Sequence, residues 1–450
     1  MFEKVFVKLA IFRLAHSGRR QIALTAAMRR STILMSSHFR VLVVGGGAAG
    51  CGAHQKFARI LGENQVGIVE PNKIHYYQPG FSLIGGGLMK MDECIRDEST
   101  FIHPKAKWIQ DRVDAFKPES NSIILGNGDA VTYDFLVIAT GCRLRYDKIK
   151  GLPEGLDAPG VCSNYSPSYC EKTYREVMQF KSGNCVFTFP NGPIKCAGAP
   201  QKAAYITDSL LRQRGVRQQA KMFYVTSLPK LFGVERYAGP LYEVAKKKDI
   251  EVKTRMNLIE VDTAKKIATF EHLNEDAAPN GQTSQIEYSL LHVAPPCSSV
   301  ESLTNCKSLT DANGWLDVHP ETLQSKKFSN VFGAGDCMNT PNAKTAAAVS
   351  GQLGTLGKNL GALLQGKSLD AKYDGYASCP LVVSTNQVIL AEFTPKGPLE
   401  TTPLDQRKPS YMSYLGKRYF MPWLYWQLLV KGYWNGPATI RRLMHFGFKK

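Results

Sequence analysis

The sequence predicts an α/β protein with two Rossmann-like dinucleotide-binding units and a basic, aromatic C-terminal segment. Three features of its 450 residues carry that reading. Residues 40–44, Arg-Val-Leu-Val-Val, run straight into Gly45-x-Gly47-x-x-Gly50, with a helix-compatible stretch to about Leu61. A second apolar run, Val66-Gly-Ile-Val, ends at Glu70, 20 residues beyond Gly50. A third, Cys185-Val-Phe-Thr-Phe-Pro190, opens another unit. With 44% hydrophobic and 21% charged residues, disordered, polytopic-membrane and small disulfide-scaffold classes are excluded.

Each element has a physical reason. Gly45 permits a tight turn, Gly47 lets backbone approach a pyrophosphate, and Gly50 lets the helix pack close on the strand. A pyrophosphate then meets free N–H groups and the positive end of the helix dipole. Glu70 stands where a carboxylate accepts hydrogen bonds from a ribose. Tyr133-Asp-Phe-Leu-Val-Ile-Ala-Thr-Gly141 predicts a strand ending in a turn. Val331-Phe-Gly-Ala-Gly-Asp336 predicts a strand ending in Gly-Asp, before a helix-forming stretch from Lys344. After the strand at 185–190 no second glycine motif follows. Pro193 and Pro200 lack the N–H donors that a phosphate loop would use. The second unit is therefore expected to keep the architecture without a nicotinamide site.

The net charge of +18 belongs to the two ends. Residues 1–40 carry eight Lys/Arg and one acid, and residues 407–450 carry nine Lys/Arg and none, leaving +2 for the 366 between. A neutral body argues against a nucleic-acid groove. Residues 1–36 are Arg-rich, nearly acid-free and apolar at helical spacing, which predicts a mitochondrial presequence over a plain basic tail. The last 44 residues hold eleven aromatics, yet the run Phe420–Leu429 is too short to span a bilayer. Amphipathic helices in a membrane surface are expected there, with a packed helical hairpin as the alternative.

None of the eleven cysteines forms a C-x-x-C pair or a zinc-type cluster with histidine, so no metal site is expected. Cys196 lies between Lys195 and Lys202, cations of the kind that lower a thiol pKa. Cys379, 183 residues on, precedes a proline and reads by itself as a turn residue. Cys51 and Cys337 read as packing residues.

Taken together, the motifs resemble the glutathione-reductase-like flavoproteins with two dinucleotide-binding domains. More specifically, Ile194-Lys-Cys-Ala-Gly-Ala-Pro-Gln-Lys202, Tyr373-Asp-Gly-Tyr-Ala-Ser-Cys-Pro-Leu381, Glu70-Pro, Tyr77-Gln-Pro79 and Lys344-Thr-Ala-Ala-Ala348 resemble the mitochondrial sulfide:quinone oxidoreductase family. The similarity runs from about residue 40 to 447. It implies FAD, with Asp336 on the ribityl chain and Gly45, Gly47, Ala48, Ala49, Gly50, Glu70, Gln78, Val113 and Lys344 as further contacts. Gln78 and Val113 rest on the resemblance alone. It implies that Cys196 and Cys379 are a redox pair. Hydrosulfide would attack Cys379, leaving a persulfide there and releasing Cys196 as a thiolate. Two electrons would pass through FAD to ubiquinone, and the outer sulfur to glutathione or sulfite. A peripheral place on the mitochondrial inner membrane is implied as well.

The expected division is a presequence (1–36), a first FAD-domain part (37–150), a second Rossmann-like domain (151–317), the returning FAD-domain part (318–380) and a quinone and membrane region (381–450). A type 2 NADH:quinone oxidoreductase is the nearest alternative, but it needs the second glycine motif. A signalling or DNA-binding flavoprotein needs charge on the body.

Overall fold

The computed structural model describes residues 37–447; the expected presequence lies outside the described residues. Strand Ser37–Val44 lies at the centre of a seven-stranded sheet. It pairs in parallel with Val66–Val69 on one side and Ala130–Ile138 on the other. Ala106–Ile109 extends the first side, and the antiparallel strands Ser122–Leu125 and Val113–Lys117 extend the second. Val41, Leu42 and Val43 are fully buried, as unbroken apolar runs are when helices cover both faces of a parallel sheet. The chain leaves this sheet and returns much later, when Val331–Gly333 pairs in parallel with Ala130–Ile138. Gly335 and Asp336 therefore open beside the glycine loop.

Helix Ala48–Ile60 follows that loop. A β-carbon on Gly50 would lie 1.7 Å from the Gly45 carbonyl oxygen, and one on Gly45 would lie 2.4 Å from that of Ala139. Close approach of strand, turn and helix is thus what these two glycines supply.

Between the two visits the chain builds a five-stranded parallel sheet in the order Val161–Cys162, Leu290–His292, Gly183–Phe189, Ala220–Thr226 and Ile250–Lys253. An antiparallel layer of Met256–Asp262, Ile267–Leu273 and Pro279–Glu287 is appended to it. Helix Ala199–Gln213 follows the strand at 183–189, with Gly198 as its cap and Pro200 in its first turn, where a missing N–H costs nothing.

Cys379 departs from its reading as a turn residue. It lies in strand Ala377–Ser384, which pairs antiparallel with Gln387–Thr394 and packs on helix Ala199–Gln213. The strand is at the edge of its sheet, and an edge tolerates Pro380. A domain break after residue 380 would fall inside this strand.

From Tyr411 to Leu429 the chain is one helical run in which α turns alternate with wider π turns. One face packs inward: the Tyr425 ring lies 4.9 Å from Tyr77, and Trp426 stacks on Phe101 at 5.4 Å. The opposite face leaves Tyr419, Phe420 and Trp423 more than half exposed. No described helix is long and apolar enough to cross a membrane.

Gly50→Ala should cost about 3 kcal/mol, the upper range for an overpacked core, because the new methyl meets backbone rather than a movable side chain. Urea unfolding measures it, and a loss below 1 kcal/mol would show that strand and helix can separate freely.

Candidate active site

Cys196 occupies the turn between the second sheet and helix Ala199–Gln213, with φ at 50°. Few side-chain-bearing residues adopt that left-handed region, and it is held here by neighbours. The Cys196 N–H donates to the Lys344 carbonyl at 2.9 Å, while its own carbonyl accepts from the Ala199 N–H at 2.8 Å and the Tyr165 hydroxyl at 3.3 Å. The edge strand brings Cys379 to the same turn, and the two thiols hydrogen-bond. Gly198 makes room: a β-carbon there would lie 2.5 Å from the Cys379 sulfur.

Two buried lysines surround the pair. The Lys202 Nζ donates to the Cys196 sulfur at 3.3 Å, from one turn along the helix that Cys196 precedes. The Lys417 Nζ, on the C-terminal run, donates to the Pro79 carbonyl at 2.8 Å and faces the same sulfurs. The hydrogen bond from Cys379 holds the Cys196 thiol well below its ordinary pKa against the opposing effect of burial, with help from Lys202 and then Lys417. The same hydrogen bond, with burial, pushes Cys379 up. One member is thus a ready thiolate and the other a thiol, the division that thiol–disulfide exchange requires. Lys195 takes no part in it: its Nζ donates to the Gln78 Oε1 at 2.8 Å. Lys417 lay beyond sequence reasoning, since a lysine in a basic, aromatic segment looks like any surface cation.

The predicted cofactor residues sit around the first sheet. Gly47 caps helix Ala48–Ile60 without a side-chain acceptor and with open space at its α-carbon, so the N–H groups of its first turn, at Ala48, Ala49 and Gly50, remain for an anion. Glu70 is buried; its Oε2 accepts from the Gly46 N–H at 2.6 Å and its Oε1 from the Asn72 N–H at 2.7 Å. The Asn72 side-chain amide also donates to Oε1, at 2.6 Å, so Oε2 is the oxygen that keeps a second lone pair for a hydroxyl. Val113 begins a strand four residues beyond Ile109, whose carbonyl accepts from the Glu70 N–H. The Lys344 Nζ donates to the carbonyls of Asp336 and Met338, at 2.6 and 2.9 Å, over the Trp315 ring. Among the described residues, the Asp336 carboxylate has one side-chain hydrogen-bond partner, the Cys142 thiol at 4.0 Å. Burial pushes its pKa up, opposed by Lys344 and Lys195. The buried Thr140 hydroxyl, beside the same turn, has no partner among the described residues. An uncapped helix end, an under-bonded carboxylate and an orphaned hydroxyl fit a dinucleotide running from the glycine loop to Asp336.

A third group came together unforeseen. The Cys51 sulfur donates to the Glu98 Oε1 and the Gly46 carbonyl, both at 3.0 Å. His75 bridges the other Glu98 oxygen at 2.9 Å and the Tyr425 hydroxyl at 2.7 Å. These are metal-ligand types within 4.8 Å of one another, but hydrogen bonds already engage them. They tie the C-terminal run to the glycine-loop helix.

Residues 39–177 match the pyridine nucleotide-disulphide oxidoreductase family. The mitochondrial sulfide:quinone oxidoreductase of Mus musculus is 45% identical over 412 residues, 91% of this chain and 90% of the relative. That of Dictyostelium discoideum is 38% identical over 404 residues, 89% of this chain and 88% of the relative. The chain belongs to the sulfide:quinone oxidoreductase family. The solved sulfide:quinone oxidoreductase of Aquifex aeolicus shares the fold, with a TM-score of 0.76 at 17% identity over 92% of this chain and 96% of that one. Membership of the sulfide:quinone oxidoreductase family sets aside the type 2 NADH:quinone alternative and agrees with the missing second glycine motif.

A lowered thiol pKa means that the Cys196 thiolate persists as pH falls below the usual thiol range. Lys202→Met should raise that pKa, moving the pH profile of Cys196 alkylation by iodoacetamide to higher pH and slowing the reaction near neutrality. Peptide mass spectrometry across pH measures it, and an unmoved profile would mean that Lys202 does not hold the charge.

Proposed function

We propose that this chain oxidises hydrosulfide at Cys196 and Cys379 and passes two electrons to a quinone through bound FAD. The hydrogen-bonded pair of unlike thiols, brought together across 183 residues beside Lys202, carries the reading. In the oxidised enzyme a disulfide joins the two. Hydrosulfide attacks the Cys379 sulfur, so the new S–S bond forms there while the old one breaks. Cys196 leaves as a thiolate, stabilised by Lys202 and Lys417. A small acceptor such as glutathione or sulfite then attacks the outer sulfur and leaves Cys379 as a thiolate. Loss of two electrons from the two thiolates restores the disulfide. FAD, when bound, supplies the two-electron acceptor for that step and the link to ubiquinone. Gly45, Gly47, Ala48, Ala49, Gly50, Glu70, Gln78, Val113, Asp336 and Lys344 are the residues that would hold it.

The exposed face of the C-terminal run is proposed to rest on the mitochondrial inner membrane, with quinone entering beside it. Tyr419, Phe420 and Trp423 supply interfacial aromatics. Deleting the run would uncover Tyr77 and Phe101, on which Tyr425 and Trp426 pack, so point changes on its outer face are the cleaner test. Phe420→Glu with Trp423→Glu should weaken binding to cardiolipin-containing vesicles about tenfold or more and slow reduction of a long-chain quinone, leaving a water-soluble short-chain quinone unaffected. Equal loss with both quinones would refute the assignment.

Anaerobic titration with sulfide tests the reaction. Bleaching of the flavin absorbance, recovery on adding quinone, and loss of bleaching in Cys196→Ser and Cys379→Ser with flavin retained are expected. Bleaching by NADH and silence with sulfide would overturn the proposal.

A further inference from the structure

A second pair of cysteines lies on the other side of the Lys195–Cys196 turn. Cys297 pairs across a short antiparallel ladder with Leu144, two residues along from Cys142. The Cys142 and Cys297 thiols hydrogen-bond to each other. The Cys297 N–H donates to the Pro193 carbonyl at 2.7 Å, and the Lys195 N–H is directed at the Cys297 sulfur. Cys142 lies 4.0 Å from the Asp336 carboxylate. Neither thiol has a part in the mechanism above.

The pair is unequal. The hydrogen bond from Cys142, with Lys195 in support, draws the Cys297 pKa down, while the same bond, burial and Asp336 push Cys142 up. Cys51, Cys94, Cys162, Cys170, Cys185 and Cys337 are all pushed up, with burial foremost, and so are poor nucleophiles. Cys297 is 5% exposed and Cys142 half-buried, so an oxidant must be small.

We propose that Cys142 and Cys297 are a second redox pair, closed to a disulfide by small peroxides, beside the turn that carries Cys196. The Cys297 thiolate attacks a peroxide oxygen; the O–O bond breaks, hydroxide leaves, and Cys297 becomes a sulfenic acid. The Cys142 sulfur then attacks the Cys297 sulfur, and the hydroxyl leaves as water with the Cys142 proton. With hydrogen peroxide, two thiols and one oxidant give one disulfide and two waters. The disulfide is a weaker hydrogen-bond acceptor than the thiolate, so the Lys195 N–H loses its partner one residue from the strained Cys196. That consequence rests on the function proposed for Cys196; the disulfide itself does not.

The test uses the reduced, full-length, detergent-purified protein. It is treated with hydrogen peroxide or with glutathione disulfide, alkylated, digested without reduction and mapped by mass spectrometry. Peroxide should link the peptides of Cys142 and Cys297, and glutathione disulfide should not. In Cys142→Ser, whose hydroxyl can still donate to the Cys297 sulfur beside Lys195, a sulfenic-acid probe should label Cys297 several-fold more than it labels Cys142 in Cys297→Ser, where burial and Asp336 still oppose the thiolate. A peroxide-treated sample with a Cys196–Cys379 link and no Cys142–Cys297 link would overturn the proposal, as would equal labelling of the two variants. Faster linkage by glutathione disulfide would overturn the small-oxidant assignment. A Cys142–Cys297 link without one at Cys196–Cys379 would count against the sulfide chemistry and leave this pair standing.

Discussion

The candidate site depends on a cysteine whose backbone is held where few side-chain-bearing residues go. Positive φ at such a residue costs of order 1–3 kcal/mol and persists only where the surroundings over-determine it. For Cys196 they do so from three directions. The Lys344 carbonyl comes from the returning first sheet, the Ala199 N–H from the helix that starts there, and the Tyr165 hydroxyl from a residue just beyond the short strand Val161–Cys162. The turn is therefore a meeting point of both Rossmann-like units. Glycine would relieve the strain but would remove the sulfur, so the fold has to hold a strained cysteine here.

Charge follows from that placement. Lys202 and Lys417 are each 2% exposed, and a buried ammonium without a counter-charge is strongly disfavoured. The two resolve the difficulty differently. Burial presses the Lys202 pKa down, but the sulfurs of Cys196 and Cys379 more than reverse it, so the net shift is upward. Lys417 faces the same sulfurs from farther away and is bonded to a neutral carbonyl. Burial, with repulsion from Lys202, lowers it to about 8. A thiolate at Cys196 is thus what permits the nearer lysine to stay charged inside the protein. Converting that thiolate into a disulfide removes the counter-charge, and a released thiolate restores it.

Much of the first sheet was legible because its signals are local. Apolar strands, glycines at fixed offsets and the acid at Glu70 each depend on a few adjacent residues, and strand Ser37–Val44, helix Ala48–Ile60 and strand Val66–Val69 stand where those signals put them. The site was less legible because tertiary packing builds it. Cys379 looked like a turn residue: a cysteine before a proline in a Gly/Ser-rich stretch carries no mark of an edge strand. Lys195 and Lys202 flank Cys196 alike in the sequence, yet Lys195 bonds Gln78 and it is Lys202 that reaches the sulfur. Lys417 and the Cys142–Cys297 contact join segments more than 100 residues apart, and no spacing rule reports such encounters. The resemblance to a family did identify Cys196 and Cys379 together, where spacing alone left them unpaired.

The C-terminal run joins these two levels. Lys417 and Arg418 are consecutive, yet Lys417 is buried toward the thiols while Arg418 pairs with Glu93 at 2.8 Å. Two residues further on, Phe420 is 56% exposed. The π turn over residues 416–420 widens the helix where it passes from inward to outward contacts, a placement typical of functional segments. Tyr425 and Trp426 then pack against Tyr77, on the same loop as the Pro79 carbonyl that holds Lys417. The exposed aromatic face and the ammonium facing the cysteine sulfurs are therefore carried by one short, well-packed helix. One segment thus presents an exposed aromatic face and supplies a charge to the thiol site, and its basic, aromatic composition serves both.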